Sequence, residues 1–286
     1  MKESILDTLK TWHPELTRIR RDLHAWPELA FQEVRTADKV AGLLESWGIE
    51  IHRGLGVTGV VGRITGRNGG GSIGLRADMD ALPMSESNTF AHASQNTGIM
   101  HACGHDGHTA MLLAAARHLA QHRDFKGTVH VIFQPAEEGQ GGARHMIDDG
   151  LFELFPMDAV FGMHNWPGIA QGSFALTQGP IMASSSTFEV TITGRGAHGA
   201  MPHLGVDPVV AAAQLTLAYQ TILTRDLDPL EPAVISVTQI HTGTVDNVIP
   251  DQAILRGTVR TFSEQALDLI ETRMSEITRG IGDGLR

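Results

Sequence analysis

Apolar side chains recur at alternating spacings of four and three residues over 4–24, which predicts an amphipathic helix. They are Ile5, Leu9, Trp12, Leu16, Ile19 and Leu23. Pro14 lies inside this segment and predicts a kink or a split of the helix. A second helix is predicted over 33–47, and Gly48 supplies a common C-terminal stop.

The pattern then changes from helical to extended. Short, apolar, β-rich segments predict strands at 59–65, 72–78, 128–134 and 159–164, and a strongly helical segment at 106–121 lies between the second and third. Strands that alternate with helices indicate an α/β layered domain, with a largely buried sheet flanked by helices. Ligands bind beyond the carboxyl ends of strands in such sheets. Polar clusters follow three of the predicted strands, with the sequences RADMD, QPAEEG and MHNW.

A small, polar stretch at 182–186 predicts a hinge between two domains, 1–182 and 183–286. The second domain is predicted to hold strands at 187–194, 233–241 and 253–261 and helices at 206–223 and 263–279, with Asp207 and Ser263 as helix N-caps. This β-α-β-β-α order is the split βαβ unit of a smaller α+β, ferredoxin-like domain, less its last strand. Since the final residues, GIGDGLR, are read as a loop, we expect this domain to be incomplete.

A glycine pattern at Gly54, Gly56 and Gly59 fits the G-x-G-x-x-G fingerprint of dinucleotide-binding proteins. That fingerprint requires a following helix whose N-terminus binds the pyrophosphate. Here the β-rich sequence VVGRIT follows, so the dinucleotide interpretation is rejected.

Composition narrows the function classes. The 286 residues carry a formal net charge of −10, which disfavours a nucleic-acid partner because an acidic surface repels phosphates. No apolar stretch approaches the roughly 20 residues needed to cross a bilayer. The N-terminal sequence has no apolar signal core, so we expect a soluble, cytoplasmic protein without a membrane partner. A single cysteine, Cys103, excludes an intramolecular disulfide.

The segment from Met100 to His108, MHACGHDGH, has the residue types of a metal site. Cys103 and His105 flank Gly104, where a turn could aim a thiolate and an imidazole at one ion. The alternative is a buried cysteine beside histidines at a helix start. His108 fits a supporting or helical role better than a ligand role.

Acidic pairs follow two of the predicted strands. Glu137 and Glu138 repel each other unless a cation or a proton intervenes, although an exposed acidic turn is also common. Neighbouring side chains diverge, so one carboxylate can bind metal while the other faces a metal-bound water as general base. Asp78 and Asp80 are alternate residues of an extended chain and share a face. His164 lies in the third strand-end cluster, MHNW, and a lone histidine at a strand end is more often structural than a ligand.

The second domain holds three further candidate residues. His198 lies in the sequence GRGAHGAMPH, where small residues would allow another surface to approach, although composition alone favours a solvated glycine-rich loop. Asn247 and Arg260 are similarly ambiguous.

Together these motifs resemble the aminoacylase and carboxypeptidase G family of dinuclear metallopeptidases, in particular its amidohydrolase branch, which includes hippurate hydrolase. The motifs are RADMDALP, MHACGHDGH, QPAEEG, GMHNWPG, GRGAHGAMPH and NVIP, and the resemblance as a whole runs from about residue 15 to the end. The resemblance implies a metallopeptidase-type mixed sheet and a lid or dimerisation domain. It implies two divalent ions, of zinc, manganese, cobalt or nickel, because all of these suit the ligand types. The implied metal ligands are Cys103, His105, Glu138 and His164.

The resemblance also implies the remaining roles. Glu137 would be the general base, and Asp80 would lie near the metals in a motif whose histidine is replaced by Asp78. His198 would reach the active site of the partner subunit in a homodimer formed through the smaller domain, and Asn247 and Arg260 would contact the substrate carboxylate or the oxyanion.

One departure from the family concerns a further histidine ligand, which the family takes from a later segment. The sequence ends before that segment, so we expect a C-terminally truncated chain that binds one metal weakly, and the resemblance leaves the activity and stability of this chain open.

The predicted function is metal-dependent hydrolysis of the amide bond of small N-acyl amino acids such as hippurate, by a metal-bridged water with Glu137 as base. One alternative is a dipeptidase or carboxypeptidase with the same metal centre. The other is an inactive fragment that binds metal or dimerises.

Overall fold

The computed structural model describes residues 5–285, which form two compact units. One unit ends at Gly168 and the other begins at Ile169. The predicted boundary between residues 182 and 183 therefore falls inside the second unit, and the assignment of a separate function to each domain stays a prediction. Residue 4, where the first helix was predicted to begin, and residue 286 lie outside the described residues.

The first unit contains a mixed five-stranded sheet in the order β1-β2-β4-β3-β5. Its strands are β1 (Glu50–Leu55), β2 (Gly59–Thr65), β3 (Arg67–Asp78), β4 (Lys126–Gln134) and β5 (Ala159–Gly162). β3 runs parallel to β4 and β5, whereas β2 runs antiparallel to β1 and β4. Because a strand follows Gly59, the rejection of the dinucleotide fingerprint is confirmed.

Helices pack against this sheet, as the alternation of elements predicts. They are α1 (Ile5–Ala25), α2 (Val34–Ser46), α3 (His105–Gln121), α4 (Gly142–Asp148) and α5 (Leu151–Leu154). α1 is one helix through Pro14, so of the two predicted effects of this proline, a kink or a split, the split is wrong. Leu23, Leu44, Leu113 and Phe133 are fully buried in the core between helices and sheet. Each such side chain contributes about 1.5–3 kcal/mol relative to an exposed one.

The parallel strands set the position of the candidate site. Asp78 at the end of β3 pairs in register with Gln134 at the end of β4, and Arg76 of β3 pairs with Gly162 at the end of β5. The polar clusters that follow these strands therefore leave the sheet at one edge. The predicted arrangement of strand-end clusters is confirmed.

The second unit contains an antiparallel sheet in the order β6-β10-β8, covered by α6 (Pro208–Thr221) and α7 (Glu264–Leu285). The strands are β6 (Ser186–Thr193), β8 (Ala233–Thr242) and β10 (Gln252–Thr261), and a separate short pair joins β7 (Ala197–His198) to β9 (Val248–Ile249). Asp207 caps α6 by accepting a hydrogen bond from the main-chain N–H of Val209, as predicted.

The predicted loop over 280–286 is wrong within the described residues, because α7 continues to Leu285. Ile277 and Ile281 pack against the core of the second unit, so the apolar stripe of the helix extends past the predicted end. The glycines at 280, 282 and 284 are exposed and leave that stripe intact. No helix among residues 5–285 has the length and apolar character to cross a membrane.

Candidate metal centre

The start of α3 brings Cys103 and His105 to the same place. Gly104 between them has a left-handed backbone with φ of 90°, which glycine adopts without strain. A Cβ atom at this position would lie 2.3 Å from Oδ1 of Asn165. Both the turn and the close approach of Asn165 therefore require glycine.

The imidazole of His105 is fully buried between two carboxylates. Its Nδ1 atom lies 3.2 Å from Oδ1 of Asp80, and its Nε2 atom lies 3.7 Å from Oδ2 of Asp78. Donation of the Nδ1 proton to Asp80 leaves a lone pair on Nε2, the atom available to a metal. Nε2 is buried and has no hydrogen-bond partner.

The turn after β4 adds two carboxylates. Oε1 of Glu138 and Oε2 of Glu137 each lie 3.9 Å from Nε2 of His105. The main-chain N–H of Glu138 donates to Oδ2 of Asp80 at 2.9 Å, and Oε1 of Glu138 is buried without a hydrogen-bond partner. The Glu137 side chain is 43% exposed and that of Glu138 23%, so the outer carboxylate is the more accessible to water.

His164 closes the cluster from the segment after β5. Its Nε2 atom lies 3.3 Å from Sγ of Cys103, and its Nδ1 atom lies 2.6 Å from the carbonyl oxygen of Asn165. His108, one turn along α3, lies 2.6 Å from both Oδ1 of Asp78 and Oδ1 of Asn165.

The side chains form two groups that share His105, and the possible ligand atoms in each group lie within 4.8 Å of one another. One group contains Cys103, His105 and Glu138, and the other contains Asp78, His105, His108 and His164. All four predicted metal ligands belong to one or the other group.

The chemistry of the cluster fits divalent cations. Burial, together with the charges of Glu138 and Glu137, raises the pKa of the Cys103 thiol to about 12. Burial and the charge of Glu138 also raise the pKa of Glu137. Burial disfavours ionisation of Asp78, but the hydrogen bond to His108 and the charge of Arg76 outweigh it and lower the pKa of Asp78 to about 2. A cation would stabilise the thiolate and carboxylates and would pair the buried Nε2 of His105 and Oε1 of Glu138.

Sequence reasoning also gave no role to Asn165 and Glu33. Oδ1 of Asn165 lies 2.6 Å from Nε2 of His108. The only sequence signal for Asn165 is its position beside His164. Glu33 is fully buried and accepts a hydrogen bond from the main-chain N–H of Ala136, in the turn that carries Glu137. In the sequence, a glutamate at a helix start is an ordinary N-terminal residue, so nothing marks it as buried.

The other three predicted residues lie in the second unit. His198 and Asn247 are exposed neighbours, because β7 pairs with β9 and the main-chain N–H of Gly199 donates to the carbonyl oxygen of Asn247 at 2.7 Å. Arg260 lies near the end of β10 and donates to the carbonyl oxygen of Val259 at 3.0 Å and to the Thr258 hydroxyl. Their roles toward a substrate stay predictions.

The chain is similar in sequence to known hydrolases and to a family of peptidases. The profile of peptidase family M20/M25/M40 matches residues 74–262. A hippurate hydrolase of Campylobacter jejuni is 45% identical over 267 residues, covering 93% of this chain and 70% of the relative. An N-acyl-L-amino acid amidohydrolase of Geobacillus stearothermophilus is 44% identical over 280 residues, covering 97% of this chain and 74% of the relative.

Among solved structures, the Bacillus subtilis protein YxeP, described as a dinuclear metal-binding peptidase of the M20 family, superposes with a TM-score of 0.82 and 42% identity. The match covers 96% of this chain and 71% of that protein. The likeness thus extends over both units of the chain.

Proposed function

The chain belongs to peptidase family M20/M25/M40 and is a metal-dependent amidohydrolase, and we propose that it hydrolyses the amide bond of small N-acyl amino acids of the hippurate type. The observation that carries the proposal is the buried, unpaired Nε2 atom of His105, around which thiol, imidazole and carboxylate groups converge. Glu137, beside this cluster, is the more exposed of the paired glutamates and is free to act on water.

In this proposal Cys103, His105, Glu138 and His164 hold two divalent ions, of zinc, manganese, cobalt or nickel. When bound, such ions polarise the scissile carbonyl and lower the pKa of a water molecule towards neutrality. Asp80 orients the His105 ring through Nδ1, in agreement with the usual carboxylate support of a metal-binding histidine. A centre for two ions is supported by the likeness to YxeP, which is described as a dinuclear metal-binding peptidase.

Glu137 serves as the general base and then as the general acid. Its carboxylate accepts a proton from the attacking water and returns it to the nitrogen of the leaving amine. The partial exposure of the side chain and its raised pKa, caused by burial and by the charge of Glu138, suit a group that exchanges protons with a substrate. The different exposure of the adjacent glutamates supports this division of roles.

The residues of the second unit have proposed roles from family resemblance. His198 polarises the acyl oxygen of a substrate bound by a partner subunit, and Asn247 and Arg260 contact the substrate carboxylate or the oxyanion. A homodimer through the second unit is supported by β8, an edge strand whose Val234 and Ile240 are 49% exposed. Sedimentation at several protein concentrations tests for this dimer.

We also propose a cytoplasmic location without nucleic-acid or membrane partners. The single, unpaired Cys103 suits a reducing compartment, and the net charge of −10 disfavours phosphate backbones. Fractionation of the native host, followed by detection of the protein, tests the location.

The catalytic proposal is tested by assaying the metal-loaded protein on hippurate and N-acetyl amino acids and, in parallel, on dipeptides. We expect release of the free amino acid from the acyl substrates, with a higher kcat/KM than for any dipeptide. A higher kcat/KM on dipeptides would favour the peptidase alternative. Absence of hydrolysis of every acyl substrate by protein with two bound ions would contradict the proposal.

A further inference from the structure

Glu33 is a fully buried carboxylate outside both candidate metal groups. Its Oε1 atom accepts the main-chain N–H of Ala136 at 2.9 Å, and its Oε2 atom accepts the Thr58 hydroxyl at 2.6 Å. Within residues 5–285 no lysine or arginine side chain forms an ion pair with it. Carboxylates are almost never fully buried without a charged partner. Glu33 is buried because two donors, the N–H of Ala136 and the hydroxyl of Thr58, each need a hydrogen-bond acceptor.

One of these donors, the N–H of Ala136, lies in the turn between β4 and α4. Ala136 is buried and has a positive φ of 52°, a conformation that residues with a Cβ atom adopt only when their surroundings hold them. The carbonyl oxygen of Ala136 accepts the N–H of Gly142 at 2.9 Å. A Cβ atom at Gly142 would lie 1.8 Å from the carbonyl oxygen of Pro135, so the two ends of this turn are in very close contact.

Two carboxylates hold the backbone on either side of Glu137. Glu33 accepts the N–H of Ala136, and Asp80 accepts the N–H of Glu138. The main chain around Glu137 is therefore held at the amide before it, that of Ala136, and at the amide after it, that of Glu138. Through Glu33, this anchor also contacts Thr58 in the turn before β2, the strand that pairs with β4.

We propose that Glu33 is a positioning residue that sets the conformation of residues 135–139 and so aims Glu137 and Glu138. The inference rests on the proposed function for its catalytic consequence, whereas its structural part concerns the turn alone. Misplacement of a reacting group by about 1 Å can cost on the order of a hundredfold in rate. Loss of the anchor is therefore expected to lower kcat more than it changes KM.

The decisive variants are Glu33→Gln and Glu33→Ala. Glutamine keeps an oxygen for the N–H of Ala136, and its amide nitrogen can donate to the Thr58 hydroxyl oxygen, so it conserves both contacts without the charge. Alanine removes both contacts. Glu28→Ala is the matched control, because Glu28 accepts the main-chain N–H groups of Arg35 and Thr36 at the start of α2 and so supports the same helix terminus without touching the turn.

Two readouts are measured on each purified, metal-loaded variant: kcat and KM on an N-acetyl amino acid, and hydrogen exchange of peptides that cover 134–142. For Glu33→Ala we expect kcat to fall about 10- to 100-fold, with faster exchange in this peptide. For Glu33→Gln and Glu28→Ala we expect kcat within about threefold of the wild-type value and unchanged exchange, since neither breaks the anchor of the turn. If Glu33→Ala does not fold, Glu33→Asp replaces it, because its carboxylate is one methylene too short for both partners.

Exchange at 134–142 that is the same in the wild type and in the variant without the anchor would overturn the inference. So would a Glu33→Gln variant as slow as that variant, because the charge rather than the hydrogen-bond geometry would then matter. If the wild-type protein hydrolyses no acyl substrate, the proposed function fails, and the exchange measurement still decides whether Glu33 holds the turn.

Discussion

Asp80 lies between His105 and Glu138 and contacts both. One oxygen of its carboxylate is 3.2 Å from Nδ1 of His105, and the other accepts the main-chain N–H of Glu138 at 2.9 Å. A single buried side chain therefore orients two candidate ligands that are far apart in sequence. Hydrogen bonds of this kind fix the tautomer and the direction of a metal-binding imidazole.

Replacement of Asp80 by alanine is expected to lower the affinity for divalent metal by about 10- to 100-fold, because both ligands lose their support. Calorimetric titration of zinc or manganese into the metal-free protein measures the change. Asp80→Asn keeps one acceptor oxygen, so its metal affinity should lie between that of the wild type and that of Asp80→Ala. Wild-type affinity in Asp80→Ala would contradict the orienting role.

Glu137→Gln should keep bound metal and lose turnover. The amide cannot accept the proton of the attacking water, and loss of a general base typically costs on the order of a hundred- to ten-thousandfold in rate. Metal content by atomic absorption and kcat on hippurate are measured on the same sample. Glu138→Gln is the comparison, since it removes a proposed ligand and should lower metal content. Turnover near that of the wild type in Glu137→Gln would remove Glu137 from the base role.

The position of the site could be predicted from the sequence because its residues follow recognisable strands. Asp78 and Glu137 come directly after apolar segments, and parallel strands place their carboxyl ends at one edge of a sheet. Cys103 and His105 are close in sequence, and the glycine between them signals the turn. These local signals marked the candidate residues, and the family resemblance supplied the ligand set.

Other features depend on contacts that no local pattern encodes. Glu33 meets Ala136 across 103 residues of sequence, and only the fold brings them together. β1 was missed because most of its residues are polar and exposed, as an outer strand permits. The predicted end of α7 is too early because the glycines at 280, 282 and 284 favour a loop, whereas Ile281 continues the apolar stripe and packs on the core.

Leu215 is buried in the core of the second unit, where it packs with Tyr219 and Ile270. Leu215→Ala should lower the free energy of unfolding of that unit by about 2–5 kcal/mol, through lost burial and the cavity left behind. Urea unfolding followed by circular dichroism measures the loss. All four tryptophans, Trp12, Trp26, Trp47 and Trp166, lie in the first unit and give an internal comparison by fluorescence. We expect the urea midpoint measured by tryptophan fluorescence and the metal content to be unchanged in Leu215→Ala. An equal shift of the fluorescence and circular-dichroism midpoints would contradict this expectation.

Glu33→Gln should stabilise the metal-free protein at neutral pH, and the stabilisation should increase as the pH rises. Burial raises the pKa of Glu33 above the ordinary value of 4.5, despite the hydrogen bonds from Thr58 and Ala136. Because the folded state holds the proton more tightly than the unfolded chain, the stability linked to this group is present below pH 4.5 and is lost as the pH rises through the folded-state pKa. Glutamine carries no charge at any of these pH values, so the variant escapes the loss.

The difference in unfolding free energy between Glu33→Gln and the wild type should therefore be smallest below pH 4.5 and grow as the pH rises through the folded-state pKa of Glu33. Tryptophan fluorescence during urea unfolding, in the presence of a chelator, reports the first unit, where Glu33 lies. Groups that titrate in both proteins, such as Asp78, contribute equally to the unfolding free energies of the wild type and of Glu33→Gln, so they do not affect the difference between them. A difference that stays constant, or that shrinks as the pH rises, would show that Glu33 ionises as readily in the folded protein as in the unfolded chain, and its buried contacts would then need another explanation.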